Sequence, residues 1–437
     1  MRIERAKKSN GQGFLQGAVI ISLGSFFAKI IGAISRIPLT GLLGAQGVGL
    51  YQLAYPFYCL LLTVSSAGLP SGISRIVARE IRGGGDGKGV FRAALSLFAT
   101  VGVIGSFVMI AFRGVLSSLQ GENLRLCYLA LSPSVALVSV LSVFRGYFQG
   151  KCDMLPTAKS DLTEQLVKGI FSLALAWIFQ ADTLAAVTAV LGAVSFSELW
   201  AVLYMYRRYR SEKSNKPLFK APMPAYSKIL RLTMPVALAA AILPFSQFIE
   251  SGLGVKLLRE YSEDAVALYG LYAGGAVTLV GLPVSVCYGF AVSIIPRLGS
   301  QKEDRKKVFK ALGVTLLVSI PCALVLFFFA RPLGALFFRK LNEGQLDILE
   351  KLIKIMSLTA VTHACAQTLS ACLIGKGKAL WAAFNMGVAV TAKIILIFFL
   401  VRMENISVYG MAIAANVCYF LAFMLNLFRN LKKEKKK

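Results

Sequence analysis

The 437-residue chain is 56% hydrophobic and only 16% charged, with a formal net charge of +27. Soluble domains carry about 45–50% apolar and about 25% charged residues, so the composition excludes an ordinary soluble protein. The excess of base would suit nucleic acid, but its placement along the chain points elsewhere.

Twelve apolar segments follow one another, at about 14–34, 46–68, 91–112, 126–144, 156–179, 184–206, 229–249, 265–293, 309–330, 353–374, 379–401 and 406–428. Each is long enough to cross a hydrocarbon core of about 30 Å. The first begins after a basic tail and has no small-residue cleavage site behind it, which argues against a signal peptide. Of the 48 Lys and Arg residues, 34 lie in the tails and in every second loop: Arg75–Arg92, Arg145–Lys159, Arg207–Arg231, Arg297–Lys310, and Lys376 with Lys378. The opposite loops hold 11, and 3 fall inside spans, at Lys29, Lys168 and Lys393. This alternation is the positive-inside pattern and predicts that both termini are cytoplasmic. The C-terminal "RNLKKEKKK" reads as an anchor beside anionic lipid, with no nucleic acid among the expected partners.

In the first segment, "AKIIGAISR" sets Lys29 and Arg36 seven residues apart on one helical face, with Gly32 and Ala33 leaving room between them. Arg36 is near enough to the end to snorkel; Lys29 is not. The fifth segment starts at Pro156, a favourable first-turn residue. Thr157, Asp161, Glu164, Gln165 and Lys168 form one polar stripe there, opposite Leu162, Leu166, Ile170 and Leu173. Lys168 lies roughly 18 Å along this helix from Pro156, at mid-membrane. Glu164 stands four residues before Lys168, the favourable order for an ion pair. Two readings stay open: a neutralised pair that fixes packing, or the polar wall of a water-filled cavity. Lys29 and Lys393 have no acid one turn away, which favours the cavity and a bound anion. Lysine suits phosphate as a point charge.

Asp161 and Glu198, the latter in the sixth segment, are rare intramembrane acids and candidates for coupling a proton or sodium. Glu250 stands at the outer end of the seventh, and either Glu198 or Glu250 could be a proton or sodium site or pair with one of the lysines. The single histidine, His363, sits in the tenth near Thr362 and Gln367 and reads as a core or cavity group, since a metal site would want several ligands. The eight cysteines show no CxxC pair and read as small core residues. No metal and no cofactor is implied.

The chain also carries a weak internal repeat. "FQGKCDMLPTAKSDLTEQLVKGI" lies without a gap on "LIGKGKALWAAFNMGVAVTAKII", so that Gly150 meets Gly375, Lys151 meets Lys376 and Lys168 meets Lys393. "GLYQLAY" echoes "ALYGLYA", and each half carries a "GLP" (Gly68–Pro70, Gly281–Pro283). The prediction is an all-α polytopic membrane protein of two six-helix bundles, 1–206 and 229–437, joined by a basic cytoplasmic linker at 207–228. An even number of helices per half gives a pseudo-two-fold axis along the membrane normal, with the substrate path between the bundles.

"GAVIISLGSFFAKIIGAISRIPLTGLLGAQGVGLYQLAYPFY", "GLPSGISRIVARE" and "GYFQGKCDMLPTAKSDLTEQLVK" together resemble the oligosaccharide flippases of the multidrug/oligosaccharidyl-lipid/polysaccharide exporter superfamily. The branch they resemble most is that of stage V sporulation and polysaccharide biosynthesis proteins, near the lipid II flippases. The resemblance implies two bundles in a V, a central cationic cavity and alternating access across the bacterial inner membrane. The implied cargo is a polyprenyl-pyrophosphate-linked saccharide or peptidoglycan precursor, for sporulation, wall or capsule. Substrate-binding positions carried over are Lys29, Arg36, Glu164 and Lys168, to which Lys393 is added as the cation of the equivalent helix. Many relatives carry two further helices that form a lipid-tail groove, so a dedicated groove is not expected here. A monomer working among membrane lipids suffices, and no covalent chemistry is required. The rivals are a cation-coupled multidrug antiporter of the same superfamily and a membrane-embedded glycan polymerase or ligase. The antiporter would rely on intramembrane acids, and the enzyme would need an outer loop with a catalytic set, which residues 331–352 and 250–264 lack.

Overall fold

The computed structural model describes residues 2–66, 68–212, 226–294 and 304–431. The core of the basic linker (213–225), the loop around Arg297 and most of the C-terminal tail lie outside the described residues. Helices follow in chain order: α1 (Arg2–Ser66), α2 (Leu69–Arg82), α3 (Lys88–Gln120), α4 (Arg125–Gly150), α5 (Leu155–Ile178), α6 (Thr183–Arg210) and α7 (Tyr226–Leu258). After them come α8 (Ala265–Tyr269), a π-helical stretch (Gly270–Ala276), α9 (Val277–Ile294), α10 (Asp304–Phe328), α11 (Ala330–Phe337), α12 (Glu343–Gly375), α13 (Ala379–Leu400) and α14 (Tyr409–Leu431).

Among the described residues, ten helical runs are long and apolar enough to cross a membrane. Two more crossings are hidden in that number. The run Phe27–Arg82 is broken inside α1 at Gly44 (φ 65, ψ −178), a conformation that a Cβ would strain. α5, at 24 residues, is also long enough to cross but carries Asp161, Glu164 and Lys168 along its apolar length. Counted with these, the described residues hold helices enough for the roughly twelve spans expected from the apolar pattern. Gly68 (φ 77) turns the chain into α2, where Pro70 occupies the first turn, so the "GLP" is a helix start.

The packing forms two units. The first comprises residues 1–39, 57–118 and 123–241; the second comprises 40–56, 119–122 and 242–437. Packing therefore does not divide the chain at the basic linker: residues 40–56 of α1 belong to the second unit, and the start of α7 to the first.

In the first unit, Ile73 and Val77 of α2 pack with Phe91 of α3 and Phe144 and Phe148 of α4. The approach of α2 to α4 depends on Gly146 and Gly150, where an added Cβ would stand 2.9 Å from Ile73 Cβ and 2.6 Å from Val77 Cβ. Pro133 interrupts α4. The Leu129 carbonyl that it leaves without an amide accepts from Ser132 Oγ (2.8 Å), and Ser106 of α3 bridges the next part of the ladder: its Oγ donates to the Ser132 carbonyl (2.6 Å) and accepts from the Ala136 amide (3.2 Å).

In the second unit, α12 and α14 are joined by polar side chains. Thr359 donates to Asn416 Oδ1 (2.7 Å), Asn416 donates to the Ile355 carbonyl (2.8 Å), and Asn426 donates to Ser370 Oγ (2.8 Å). In hydrocarbon such bonds hold helices together where the hydrophobic effect cannot. The second leg of α1 presses on the π-helical stretch and α8. A Cβ on Gly49 would lie 2.1 Å from the Val266 carbonyl oxygen, and one on Gly270 would lie 2.1 Å from that of Ala45. Gln52 Nε2 then donates to the Ala273 carbonyl at 2.9 Å. Residues 119–122 join this unit through Arg259, which donates to the Gly121 carbonyl (2.7 Å) and pairs with Glu122.

Candidate functional site

The first unit holds a charged cluster built on α5. Three small residues let α1 and α5 run in close contact. A Cβ on Gly24 would stand 2.6 Å from Ala158 Cβ, one on Gly32 3.1 Å from Gln165 Oε1, and one on Gly169 3.0 Å from Ser35 Cβ. This seam brings the α1 bases to the α5 stripe. The Cys59 thiol, on α1's second leg, lies within electrostatic reach of both Arg36 and Lys168. Lys29 is exposed, while Arg36 and Lys168 are half-buried.

On the acidic side of the stripe the partner differs from the one predicted. Glu164 pairs with Arg145 of α4, not with Lys168. Arg145 Nη2 lies 2.8 Å from both Glu164 Oε2 and Asp161 Oδ1, and it donates to Ser160 Oγ at 2.9 Å. Gln165 Nε2 donates to the other Glu164 oxygen at 3.2 Å. A planar guanidinium can serve two carboxylates and a hydroxyl at once, which an ammonium four residues along the same helix cannot match. Lys168 makes no ion pair among the described residues. Arg145 had the look of a loop base because the apolar run stops at 144, but α4 continues to Gly150. One more helical turn, with Leu141 and Phe148 buried on either side of it in sequence, would have shown its inward direction.

Glu198 of α6 completes the cluster. It is 6% exposed, and its Oε2 has no hydrogen-bond partner among the described residues. It interacts electrostatically with Glu164, Arg145, Lys168 and Asp161. Three carboxyls thus face two bases. Among the described residues, no three His, Cys, Asp or Glu side chains are placed to hold a metal ion together.

Lys393 belongs to the second unit, and there a second expectation is corrected. It is not an uncompensated cation. Its Nζ lies 2.5 Å from Glu250 Oε2, and Glu250 Oε1 accepts from the Tyr272 hydroxyl at 2.7 Å. Lys393 and Glu250 are 7% and 4% exposed, so each neutralises the other out of water. They border a cavity of about 180 Å³ enclosed by α1's second leg, α7, the π-helical stretch, α9, α12, α13 and α14. His363 lines it, stacked on Tyr419 with centroids 3.8 Å apart and planes at 16°.

These features define an all-α, multi-pass membrane architecture with charged groups buried in each unit. The profile described as "Polysaccharide biosynthesis protein" matches residues 14–299, and the chain belongs to that family. A second profile, MatE, matches residues 235–399. The chain is 27% identical to Stage V sporulation protein B of Bacillus subtilis (strain 168), over 92% of this chain and 80% of that protein. It is 24% identical to the Lipid II flippase MurJ of the same organism, over 96% of this chain and 82% of that one. Two solved structures share the fold with a TM-score of 0.75. One is a multidrug resistance MATE family transporter of the MOP superfamily in an inward-facing conformation, at 16% identity over 92% of this chain and 94% of that one. The other is a Lipid II flippase MurJ in an inward closed conformation, at 13% identity over 94% and 87%. The relatives are named as transporters, flippases or sporulation proteins, and none of these four as an enzyme.

Proposed function

We propose that this chain moves a polyprenyl-diphosphate-linked saccharide or peptidoglycan precursor across the bacterial inner membrane by alternating access. The observation that carries the reading is the base-rich seam of α1 and α5. Lys168 lies mid-helix without an ion pair among the described residues, both it and Arg36 reach the Cys59 thiol electrostatically, and Lys29 shares the α1 face of Arg36. An intramembrane cation of this kind calls for a water-filled cavity or an anionic ligand, and a diphosphate is such a ligand. The relationship to Stage V sporulation protein B and to a lipid II flippase supports this class of cargo. Lys393 leaves the diphosphate site, because Glu250 already satisfies it. In this reading the sequence halves 1–206 and 229–437 are the moving bodies, a monomer suffices, and both basic tails face the cytoplasm. The coupling ion is a proton at Glu198, beside Asp161 and Glu164, where carboxyls outnumber bases.

The test is binding of undecaprenyl diphosphate, with and without an attached saccharide, to purified Lys29→Gln and Lys168→Gln variants. Complementation of a strain lacking the gene is scored in parallel. Normal insertion with at least about tenfold weaker binding, the effect of one lost charge-assisted contact, is expected. Unchanged binding and complementation in the double variant would overturn the diphosphate site.

A further inference from the structure

The second unit's cavity contains more uncommitted hydrogen-bonding groups than the Lys393–Glu250 pair needs. His363 Nε2 is buried and has no partner among the described residues. The Tyr419 hydroxyl, the Ser246 hydroxyl and the Gln247 amide, which also line the cavity, make no hydrogen bond there either. Buried polar groups are almost always bonded, so the buried His363 Nε2, with three further uncommitted polar groups on the same cavity wall, calls for an occupant.

The chemistry of that occupant follows from the walls. The two formal charges at the cavity bond to each other, so neither an anion nor a cation is selected. The Lys393 ammonium keeps two further N–H donors beyond the one aimed at Glu250. Stacked face to face, His363 and Tyr419 form an aromatic part of the wall, and Val280, Met356 and Val390 form an apolar part. Flat aromatic surface, apolar wall and several neutral donors and acceptors match a ring that is hydroxylated at its edges and carbon-rich on its faces. A volume of about 180 Å³ equals the liquid-volume share of about six waters, on the scale of one sugar ring.

We propose that this cavity is a saccharide site that takes one uncharged hexose or N-acetylhexosamine ring, with His363 and Tyr419 as the recognition residues. The proposal rests on the reading that the cargo carries a saccharide, and it assigns sugar and diphosphate to different residues: sugar to α12 and α14, diphosphate to α1 and α5. The source of the ring, headgroup of the lipid-linked precursor or free sugar, is distinguished by the test.

The probes are free N-acetylglucosamine, undecaprenyl diphosphate, and undecaprenyl diphosphate carrying N-acetylglucosamine. Binding is followed by saturation-transfer NMR for the sugar and by a labelled-lipid assay for the lipids. The variants are His363→Phe, which keeps the ring stack and removes the nitrogens, and Tyr419→Phe, which removes one hydroxyl and keeps the shape. Each is expected to weaken the sugar-bearing lipid about tenfold, the effect of one lost hydrogen bond in a dry site, with the sugar-free lipid changed less than about twofold. A free-sugar signal that disappears in His363→Phe supports the site even if neither lipid binds, a result that would sink the flippase reading alone. Equal loss for both lipids, with normal folding, marks a structural role and overturns the site. So does unchanged binding of the sugar-bearing lipid, or, where neither lipid binds, the absence of any free-sugar signal from the wild-type chain.

Discussion

The two units solve the same physical problem in different ways. Each buries ionised side chains where insertion of one costs about 2.5–3.5 kcal/mol at a helix centre. The second unit closes its account one to one: Lys393 meets Glu250, and Tyr272 satisfies the other carboxylate oxygen. The first unit does not balance. Arg145 serves Asp161 and Glu164 together, Lys168 stands outside that pairing, and one oxygen of Glu198 has no hydrogen-bond partner among the described residues. A balanced pair is a fixed feature of packing, whereas an unbalanced cluster can change its charge or accept a charged ligand. The working chemistry is therefore expected in the first unit's charges, and the second unit's pair is expected to behave as structure.

The largest effect should come from breaking the balanced pair. Lys393→Ala or Glu250→Ala leaves an ion buried alone, and breaking such pairs typically costs about 3–5 kcal/mol. The double variant Glu250→Gln/Lys393→Met removes both charges at nearly constant volume and should recover most of that loss. Thermal unfolding in detergent, read on the three variants, measures it. Singles no less stable than the double would show that the pair is not coupled.

Next in size is Arg145. Arg145→Lys keeps the charge but cannot span Asp161, Glu164 and Ser160 together, so about 1–3 kcal/mol should be lost, and more for Arg145→Ala. A double-mutant cycle sharpens the comparison. The coupling of Glu164 with Arg145 should reach about 1–3 kcal/mol, whereas that of Glu164 with Lys168 should stay below about 0.5 kcal/mol. A reversed order would restore the pairing that sequence spacing alone suggests.

That reversal marks where the sequence is legible. The twelve crossings were readable because a membrane imposes a length and an apolar composition on each helix separately. The stripe on α5, the Lys29–Arg36 face and the rarity of Glu198 were readable for the same reason, since each lies within one helix. Partners across helices were not. Glu250 is 143 residues from Lys393, and no periodicity connects them. Arg145 was read as a topology marker because the apolar run ends one residue before it. The division into packing units was hidden too: Ala45, Gly49 and Gln52 precede the middle of the chain by far, yet their close contacts with α8 and the π-helical stretch depend on Gly49 and Gly270 meeting across helices, which no local pattern announces. The His363 cavity has a sequence signal only as a histidine amid apolar residues, and the stack on Tyr419, 56 positions later, arises from the packing of α12 on α14.

Lys168→Gln should shift stability by less than about 1 kcal/mol, since no ion pair among the described residues is lost. Its effect belongs to function: loss of complementation in a protein that inserts and unfolds normally. A large drop in stability would mean that Lys168 is a packing residue after all.

The smallest stability effect is expected at Glu198, and it divides the two units most cleanly. A glutamine there keeps the shape of the carboxyl and removes its capacity to ionise. In the balanced pair of the second unit, Glu250→Gln removes the counter-charge of Lys393 and should destabilise by a few kcal/mol. Glu198 faces two carboxyls, Asp161 and Glu164, as well as Arg145 and Lys168, so an ionised Glu198 meets repulsion and attraction together. Glu198→Gln should therefore leave the unfolding temperature nearly unchanged, or raise it slightly. If Glu198 carries the coupling proton, the same variant should still bind the lipid-linked cargo but lose the dependence of transport on a proton gradient, measured in proteoliposomes with and without an imposed ΔpH. A variant as unstable as Glu250→Gln would show that the Glu198 charge belongs to the packing of the first unit. Transport that keeps its gradient dependence would take the coupling role from Glu198 and leave the surplus acid of the first unit to Asp161 and Glu164.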